Sequence, residues 1–376
     1  MSENQLVLNG KTVSFNPGQT ILQVAQENGV DIPTLCYLRD ATPTGACRIC
    51  LVEVEGARSL VASCATPAAV NMVIRTESPR VMAARRLNIE LLLASGSSNC
   101  LVQDMDMDSW TDFQLKALAP AEHKDICPVY GDCRLQELAI RYQVKGGRFK
   151  PTETAYPTEC INPFVVRDFS RCILCGRCVQ ACNEVVVNRA ISYGYRGSRS
   201  KIVAAGDRAY HESDCVFCGQ CVEVCPVGAL VEKKSVGLAR ANDLKKVRTT
   251  CPYCGVGCQM WLHVKDGKVV KVTAVEDGAP NRGRLCVKGR FGYDFIYSDE
   301  RLKTPLVREN GAFREASWDE ALDLVADRFK KIIAEHGPNA IAGVSCARSL
   351  NEDSYQMQKL FRGAIGTNNI DHCART

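Results

Sequence analysis

No stretch of this 376-residue chain approaches the roughly 18 consecutive apolar residues that a membrane-crossing helix needs. Its opening, MSENQLVLNGKTVSF, has no basic n-region, no apolar h-region and no twin-arginine pair. Charge of one sign is scarce as well: 47 Lys and Arg face 42 Asp and Glu, and the net +5 is spread along the chain. That balance gives no reason to invoke nucleic acid. The absences predict a cytoplasmic protein without a membrane span, in a compartment where thiols stay reduced.

Cysteine is what the chain has in quantity, 22 residues of it. A disulfide framework belongs to short, exported chains, and neither property applies here. Thiolates gathered in tight groups in a reducing compartment mean soft-metal ligation, by iron–sulfur clusters or by zinc. With 46% hydrophobic and 24% charged residues the chain reads as globular. Its length is too great for one ordinary core, so several modules in a row are expected.

The local patterns agree with that division. LVLNG-KTVSF predicts a hairpin around Asn9-Gly10, followed by a helix that Thr20 opens and Gly29 stops. ICLVEVEG and NMVIRT read as strands, and Ser78 to Ala94 as a helix with Pro79 in its first turn. Residues 96–160 are irregular, with DMDMDSW read as a surface insertion. One cysteine pattern recurs after 43 residues between 160 and 235. Further on, strands flank Asp266-Gly267, and Ser317 and Glu320 begin a capped amphipathic helix that Gly337 ends. IAGVS then reads as a buried strand leading into the helix DSYQMQKLFRGAIG, the beginning of an α/β domain.

The cysteines fall into sets. Cys36, Cys47, Cys50 and Cys64, spaced C-x10-C-x2-C-x13-C, suit a [2Fe–2S] centre on one loop and one return strand. Zinc more often takes two short pairs, and only one occurs here. Cys172, Cys175, Cys178 and Cys182 read C-x2-C-x2-C-x3-C, and Cys215, Cys218, Cys221 and Cys225 repeat it, with Pro226 following. In such two-cluster runs the fourth cysteine serves the other cluster. Cys225 is therefore assigned with Cys172, Cys175 and Cys178, and Cys182 with Cys215, Cys218 and Cys221, each set holding a [4Fe–4S]. Asn183 stands where a proline often follows. Cys251, Cys254, Cys258 and Cys286 form a compact triplet with a distant fourth ligand, again a [4Fe–4S] pattern. Cys160, Cys346 and Cys373 have no set and are expected as structural thiols.

The first set resembles the ferredoxin-like N-terminal domain of complex I's large peripheral subunit and of iron hydrogenases. TTCPYCGVGCQM followed by RGRLCVKGRFGYDF resembles the start of molybdopterin oxidoreductases, formate dehydrogenases in particular. The resemblance places Lys288 between this last cluster and a pterin, and makes Arg348, Asn351, Glu352, Tyr355 and Lys359 cofactor neighbours. Each of these has a plainer reading as a helix-surface or first-turn residue. Relatives also carry H-x3-C-x2-C-x5-C for a [4Fe–4S] with one histidine ligand. Here Cys127-x5-Cys133 survives, Cys100 precedes it across 26 intervening residues, His123 lies four before Cys127, and Tyr130 cannot ligate. The preferred reading is a rearranged His/Cys3 site; the alternative is a lost cluster with leftover buried cysteines.

Together the resemblance implies an α+β multidomain chain: a β-grasp ferredoxin over 1–78, a His/Cys3-type domain with an insertion over 79–158, and a two-cluster ferredoxin over 159–240. A [4Fe–4S] domain of the Mo/W bis-molybdopterin guanine dinucleotide type follows over 245–302, then the truncated start of an α/β molybdopterin-binding domain over 303–376. This is the module order of cytoplasmic formate dehydrogenase catalytic (alpha) subunits. It implies one [2Fe–2S] and three [4Fe–4S] clusters, four if the His/Cys3 set holds one, and molybdenum or tungsten in the complete enzyme. The implied partner is a flavin- and NAD(P)-binding or hydrogenase subunit. Competing readings are a large subunit of a complex I-like NADH dehydrogenase and a non-catalytic electron-transfer adaptor. A segment resembling NNIDHCAR is followed in the family by a metal-ligating selenocysteine or cysteine. The expectation is that the sequence is the N-terminal part of a selenoprotein cut at an in-frame stop codon, inactive toward formate by itself. Sequencing the DNA downstream of the Thr376 codon should reveal coding sequence in the same frame.

Overall fold

The computed structural model describes residues 4–95, 127, 129, 131–144, 148–149, 156–239 and 241–373. The chain divides into two compact units, residues 1–245 with 264–271, and residues 246–263 with 272–376. Among the described residues no helix is long and apolar enough to cross a membrane.

The first unit opens with β1 (Gln5–Leu8) and β2 (Lys11–Ser14), paired antiparallel with Leu6 opposite Val13. Asn9 and Gly10 turn between them at φ 50° and 83°, the left-handed pair that a tight hairpin needs. The capping box on α1 (Ile21–Glu27) is complete: Thr20 accepts from the Gln23 amide, and the Gln23 side chain accepts from the Thr20 amide. With β3 (Leu51–Val54), β4 (Val61–Ala62) and β5 (Val73–Arg75) the sheet order is β2-β1-β5-β3-β4. β5 lies parallel to β1, and the other pairings are antiparallel. Leu6, Leu8, Ile21, Leu22, Val52 and Ile74 fill its core, which also takes in Cys50 and Cys64.

Next comes α2 (Pro79–Ala94), capped by Ser78 with Pro79 in its first turn, as the sequence predicts. It packs with α3 (Arg134–Arg141). The second core joins Ile89 and Leu93 of α2 to Leu135, Leu138 and Tyr142, to loop residues Leu35 and Ile49, and to Val227 and Ala229. Cys47, Cys133, Cys172 and Cys225 border it.

The 43-residue repeat is also a repeat of backbone. β6 (Val165–Arg167) pairs antiparallel with β9 (Leu230–Glu232), and β7 (Ile191–Gly194) with β8 (Lys201–Ala204). Two short helices, α4 (Arg177–Gln180) and α5 (Gln220–Glu223), start from Gly176 and Gly219 at φ 78° and 72°. Leu174 and Phe217, also 43 residues apart, are both left-handed, at φ 51° and 53°. Non-glycine residues take that conformation at a cost, so both loops are held in it by their surroundings.

The second unit takes in most of a three-stranded sheet of β10 (Lys245–Thr250), β11 (Gln259–Lys265) and β12 (Lys268–Ala274), turning at Asp266-Gly267. After α6 (Val287–Phe291), β13 (Leu306–Glu309) and β14 (Ala312–Glu315) form a hairpin. Ser317 caps α7 (Trp318–His336) through the Glu320 amide, but the Glu320 carboxylate accepts from Arg314 at 2.5 Å. β15 (Gly343–Ser345), α8 (Asn351–Lys359) and β16 (Ile370–His372) form a parallel strand–helix–strand unit, with Val344 opposite Asp371. The expectation of a buried strand at IAGVS is corrected, because Val344 is 77% exposed. Alternation leaves Gly343 facing inward, where an added Cβ would sit 2.5 Å from the Phe361 ring.

Leu22 is fully buried against the first sheet. Leu22→Ala should cost about 2–5 kcal/mol, read as a shift in the denaturant midpoint of the cluster-free protein.

Candidate iron–sulfur sites

In the first set Cys36, Cys50 and Cys64 are buried and Cys47 is partly so. The Cys47 amide donates to the Cys36 sulfur at 3.5 Å. Sharing protons with Cys47 and Cys64 pulls the Cys36 thiol down, and contacts with Cys36 and Cys50 drive Cys64 up. Ser63 ties the return strand to the loop, its hydroxyl donating to the Cys50 carbonyl at 2.8 Å.

The two ferredoxin runs exchange their last cysteines in space. Burial raises Cys172 to about 11 and Cys175 to about 12, and the charge of Cys225 adds to both. Cys178 is driven well up by burial, then by Cys175 and Cys225. Cys215 is raised by burial, then by Cys218 and Cys182. Cys225 thus acts on the first three cysteines of the earlier run, and Cys182 on Cys215.

Backbone amides oppose the burial in a regular way. The amide two residues after the cysteine faces the sulfur from Ile49, Leu174, Arg177, Phe217 and Tyr253, for Cys47, Cys172, Cys175, Cys215 and Cys251 in turn. The left-handed residues Leu174 and Phe217 are two of these donors. N–H groups aimed at sulfur favour its anionic form and later the cluster charge.

Cys172, Cys175, Cys178 and Cys225 line one apolar cavity with Ile202, Val227 and Leu230. Arg167 lines it too, 3% exposed, with its guanidinium 4.2 Å from the Tyr210 ring centroid. One nitrogen pairs with Glu159 at 3.2 Å; the buried Nε and Nη1 have no partner among the described residues. Four thiols and unsatisfied cationic N–H groups around one dry cavity fit an anionic iron–sulfide core. Among the described residues no three His, Cys, Asp or Glu side chains close on a point as a single-ion site.

In the second unit Cys251 is buried, Cys254 and Cys258 are partly buried, and Cys286 is exposed at the start of α6. Burial raises Cys251, with Cys286 and Cys254 adding their charge. Asn281 is the residue that brings the distant cysteine back. Its side chain accepts from the Gln259 amide at 2.7 Å and donates to the Gln259 and Arg284 carbonyls at 3.0 and 2.8 Å. Lys288 lies 5.9 Å from the centroid of the Tyr253 ring, and the Tyr253 hydroxyl donates to the Gly292 carbonyl. Asn351 donates to the Gly255 carbonyl at 2.7 Å, beside Cys254.

Of the weakest set, Cys100 and His123 lie outside the described residues, as does the DMDMDSW stretch. Cys127 accepts from Arg171 at 2.9 Å, and Cys133 precedes α3. Cys160, Cys346 and Cys373, expected as structural thiols, are all exposed, and the last two sulfurs are 3.6 Å apart. A depression at the carboxyl ends of β15 and β16 is lined by Cys346, Gln358, Arg362 and His372 among others. None of Arg348, Asn351, Glu352, Tyr355 and Lys359 lines it. Arg362 and His372 escape sequence reading because nothing in their spacing marks them; only the parallel strand pairing brings them to one edge.

Four family descriptions match the chain in order. They are "2Fe-2S iron-sulfur cluster binding domain" over 3–79, "4Fe-4S dicluster domain" over 171–229, "Molybdopterin oxidoreductase Fe4S4 domain" over 244–298 and "Molybdopterin oxidoreductase" over 301–376. An NADH-quinone oxidoreductase subunit of Rhizobium meliloti (strain 1021) is 35% identical over 374 residues, 99% of this chain and 40% of that protein. A Staphylococcus aureus (strain USA300) protein named "Putative formate dehydrogenase" is 32% identical over 418 residues, 100% of this chain and 39% of that protein. A solved structure of an NAD+-reducing [NiFe]-hydrogenase in the H2-reduced state is 30% identical, covering 64% of this chain and 91% of that one with a TM-score of 0.49. The chain spans about two-fifths of the length of the curated relatives it matches. It is an iron–sulfur protein of the oxidoreductase class, carrying [2Fe–2S] and [4Fe–4S] domains. From residue 244 onward it matches the two molybdopterin oxidoreductase descriptions.

The raised thiols give a pH dependence. Unfolded thiols lose protons near 9.0, whereas folded Cys172 and Cys175 hold theirs to about 11 and about 12. The folded cluster-free state therefore binds more protons in that interval and loses stability as pH rises. Below pH 9 these groups add no slope. Melting temperatures of cluster-free protein should fall between pH 9 and 12; a flat profile would contradict the burial.

Proposed function

We propose that the chain is the iron–sulfur portion of a formate dehydrogenase, passing electrons between a molybdenum- or tungsten-pterin centre and a partner subunit that binds flavin and NAD(P) or is a hydrogenase. Cys36, Cys47, Cys50 and Cys64 hold the [2Fe–2S]. Cys172, Cys175, Cys178 and Cys225 hold one [4Fe–4S], Cys215, Cys218, Cys221 and Cys182 a second, and Cys251, Cys254, Cys258 and Cys286 a third. The clusters, when bound, take up and give back single electrons. The protein supplies thiolate anchors, amides that stabilise added negative charge, and apolar walls that exclude water. The β-grasp label for the first domain rests on the parallel β1–β5 pairing inside an otherwise antiparallel sheet. Catalysis proper lies outside these residues, with Lys288 beside the last cluster as the electron relay.

The observation that carries the reading is the meeting of Cys225 with Cys172, Cys175 and Cys178, which makes adjoining clusters from one folded loop pair. Tyr193 extends the series toward the first site. Its phenol is raised to about 12 by burial, then by Cys175, Cys178, Cys172 and Cys36, so it stands near both sets.

The Rhizobium meliloti relative, named for an NADH-quinone oxidoreductase, favours a second reading, a large iron–sulfur subunit of an NADH-linked complex. Metal analysis of the natural complex separates the two. Stoichiometric molybdenum or tungsten, with clusters reduced by formate, supports the first reading; iron and sulfide alone support the second. In either case Cys225→Ser should remove or convert one [4Fe–4S] and leave the [2Fe–2S] EPR signal in place. Loss of all signals together would contradict the assignment of separate sites.

A further inference from the structure

The buried face of α2 is Val81, Arg85, Ile89 and Leu93, a strict four-residue spacing in which the second place goes to a cation. Arg85 is 0% exposed. Among the described residues its three hydrogen bonds end on neutral oxygens: Nε on the Ile49 carbonyl at 3.1 Å, Nη2 on the Leu51 carbonyl at 2.9 Å, and Nη1 on the Tyr142 hydroxyl at 3.1 Å. Arg167, the other buried guanidinium described above, has a carboxylate partner at 3.2 Å. A fully buried charge without an opposite charge costs several kcal/mol. The fold tolerates that cost when an anion sits close by.

The two carbonyls that Arg85 grips flank Cys50. The Ile49 amide, on the other side of the same residue, faces the Cys47 sulfur. Asn88, three residues along α2, donates to the Arg48 carbonyl at 3.1 Å. α2 thus holds the carbonyls of the loop from behind, and the amides are left to face the sulfurs. A [2Fe–2S] core with four thiolates is anionic and gains a further negative charge on reduction.

We propose that Arg85 is a positioning and tuning residue: the buried counter-charge of the [2Fe–2S] site, fixing the Ile49–Leu51 segment and raising the reduction potential of the cluster. This rests on the assignment of Cys36, Cys47, Cys50 and Cys64 to that cluster. A buried cation favours the more negative, reduced form, and water does little to screen it.

The test is an EPR-monitored redox titration of the full chain, reconstituted anaerobically, as parent, Arg85→Met, Arg85→Lys and Tyr142→Phe. Arg85→Met should move the [2Fe–2S] potential negative, shifting the reduction equilibrium about tenfold, ~59 mV for one electron, with the [4Fe–4S] potentials unmoved. Arg85→Lys and Tyr142→Phe keep the charge and should titrate with the parent. The proposal is overturned if Arg85→Met assembles the cluster and titrates unchanged, or if the two charge-keeping variants shift as far as it does. Should Arg85→Met not assemble, those two variants still decide the matter: parent-like titration supports the role of charge, and a tenfold shift in either overturns it. Absence of any [2Fe–2S] signal from the parent would instead sink the cluster assignment itself.

Discussion

Sulfur buried beside sulfur cannot become thiolate unless positive charge or directed hydrogen bonds compensate it, and the loops of both units are built around that requirement. Apolar walls raise Cys172, Cys175 and Cys178. Amides two residues onward pull the other way at five cysteines. The left-handed backbone at Leu174 and Phe217 shows the cost of this arrangement, since bulky side chains occupy a conformation better suited to glycine. A chain selected only for stability would have no reason to keep that geometry twice, 43 residues apart. Ligand binding supplies the free energy that packing withholds.

Much of the local structure was legible because its signals are short-range. Asn9-Gly10 and Asp266-Gly267 mark their hairpins, and Thr20, Ser78 and Ser317 cap their helices through nearby amides. The proposed exchange of Cys182 and Cys225 has another source: it follows from the repeat itself. What stayed hidden depends on residues distant in sequence. Arg85 occupies a place where helical spacing calls for a hydrophobic side chain, and only the fold places Ile49 and Leu51 against it. Asn281 carries no motif, yet it fixes the approach of Cys286 through Gln259. Asn351, a pterin neighbour by resemblance, also donates to the Gly255 carbonyl of the Cys254 loop, a contact that its spacing does not announce. An amphipathic pattern also does not say what covers it, and no residue of α7 is fully buried although Phe329, Ile332 and Ile333 pack on a small core.

The second core of the first unit has a consequence for how charge can move. Cys47, Cys172 and Cys225, from two different cluster sets, all border the body of Leu, Ile and Val side chains between α2, α3 and residues 227–229. Close-packed hydrocarbon has few dipoles free to turn, so a change of charge at its edge forces little rearrangement of the medium. The same side chains that make this unit fold therefore lower the energy needed to reorganise its interior each time an electron arrives or leaves.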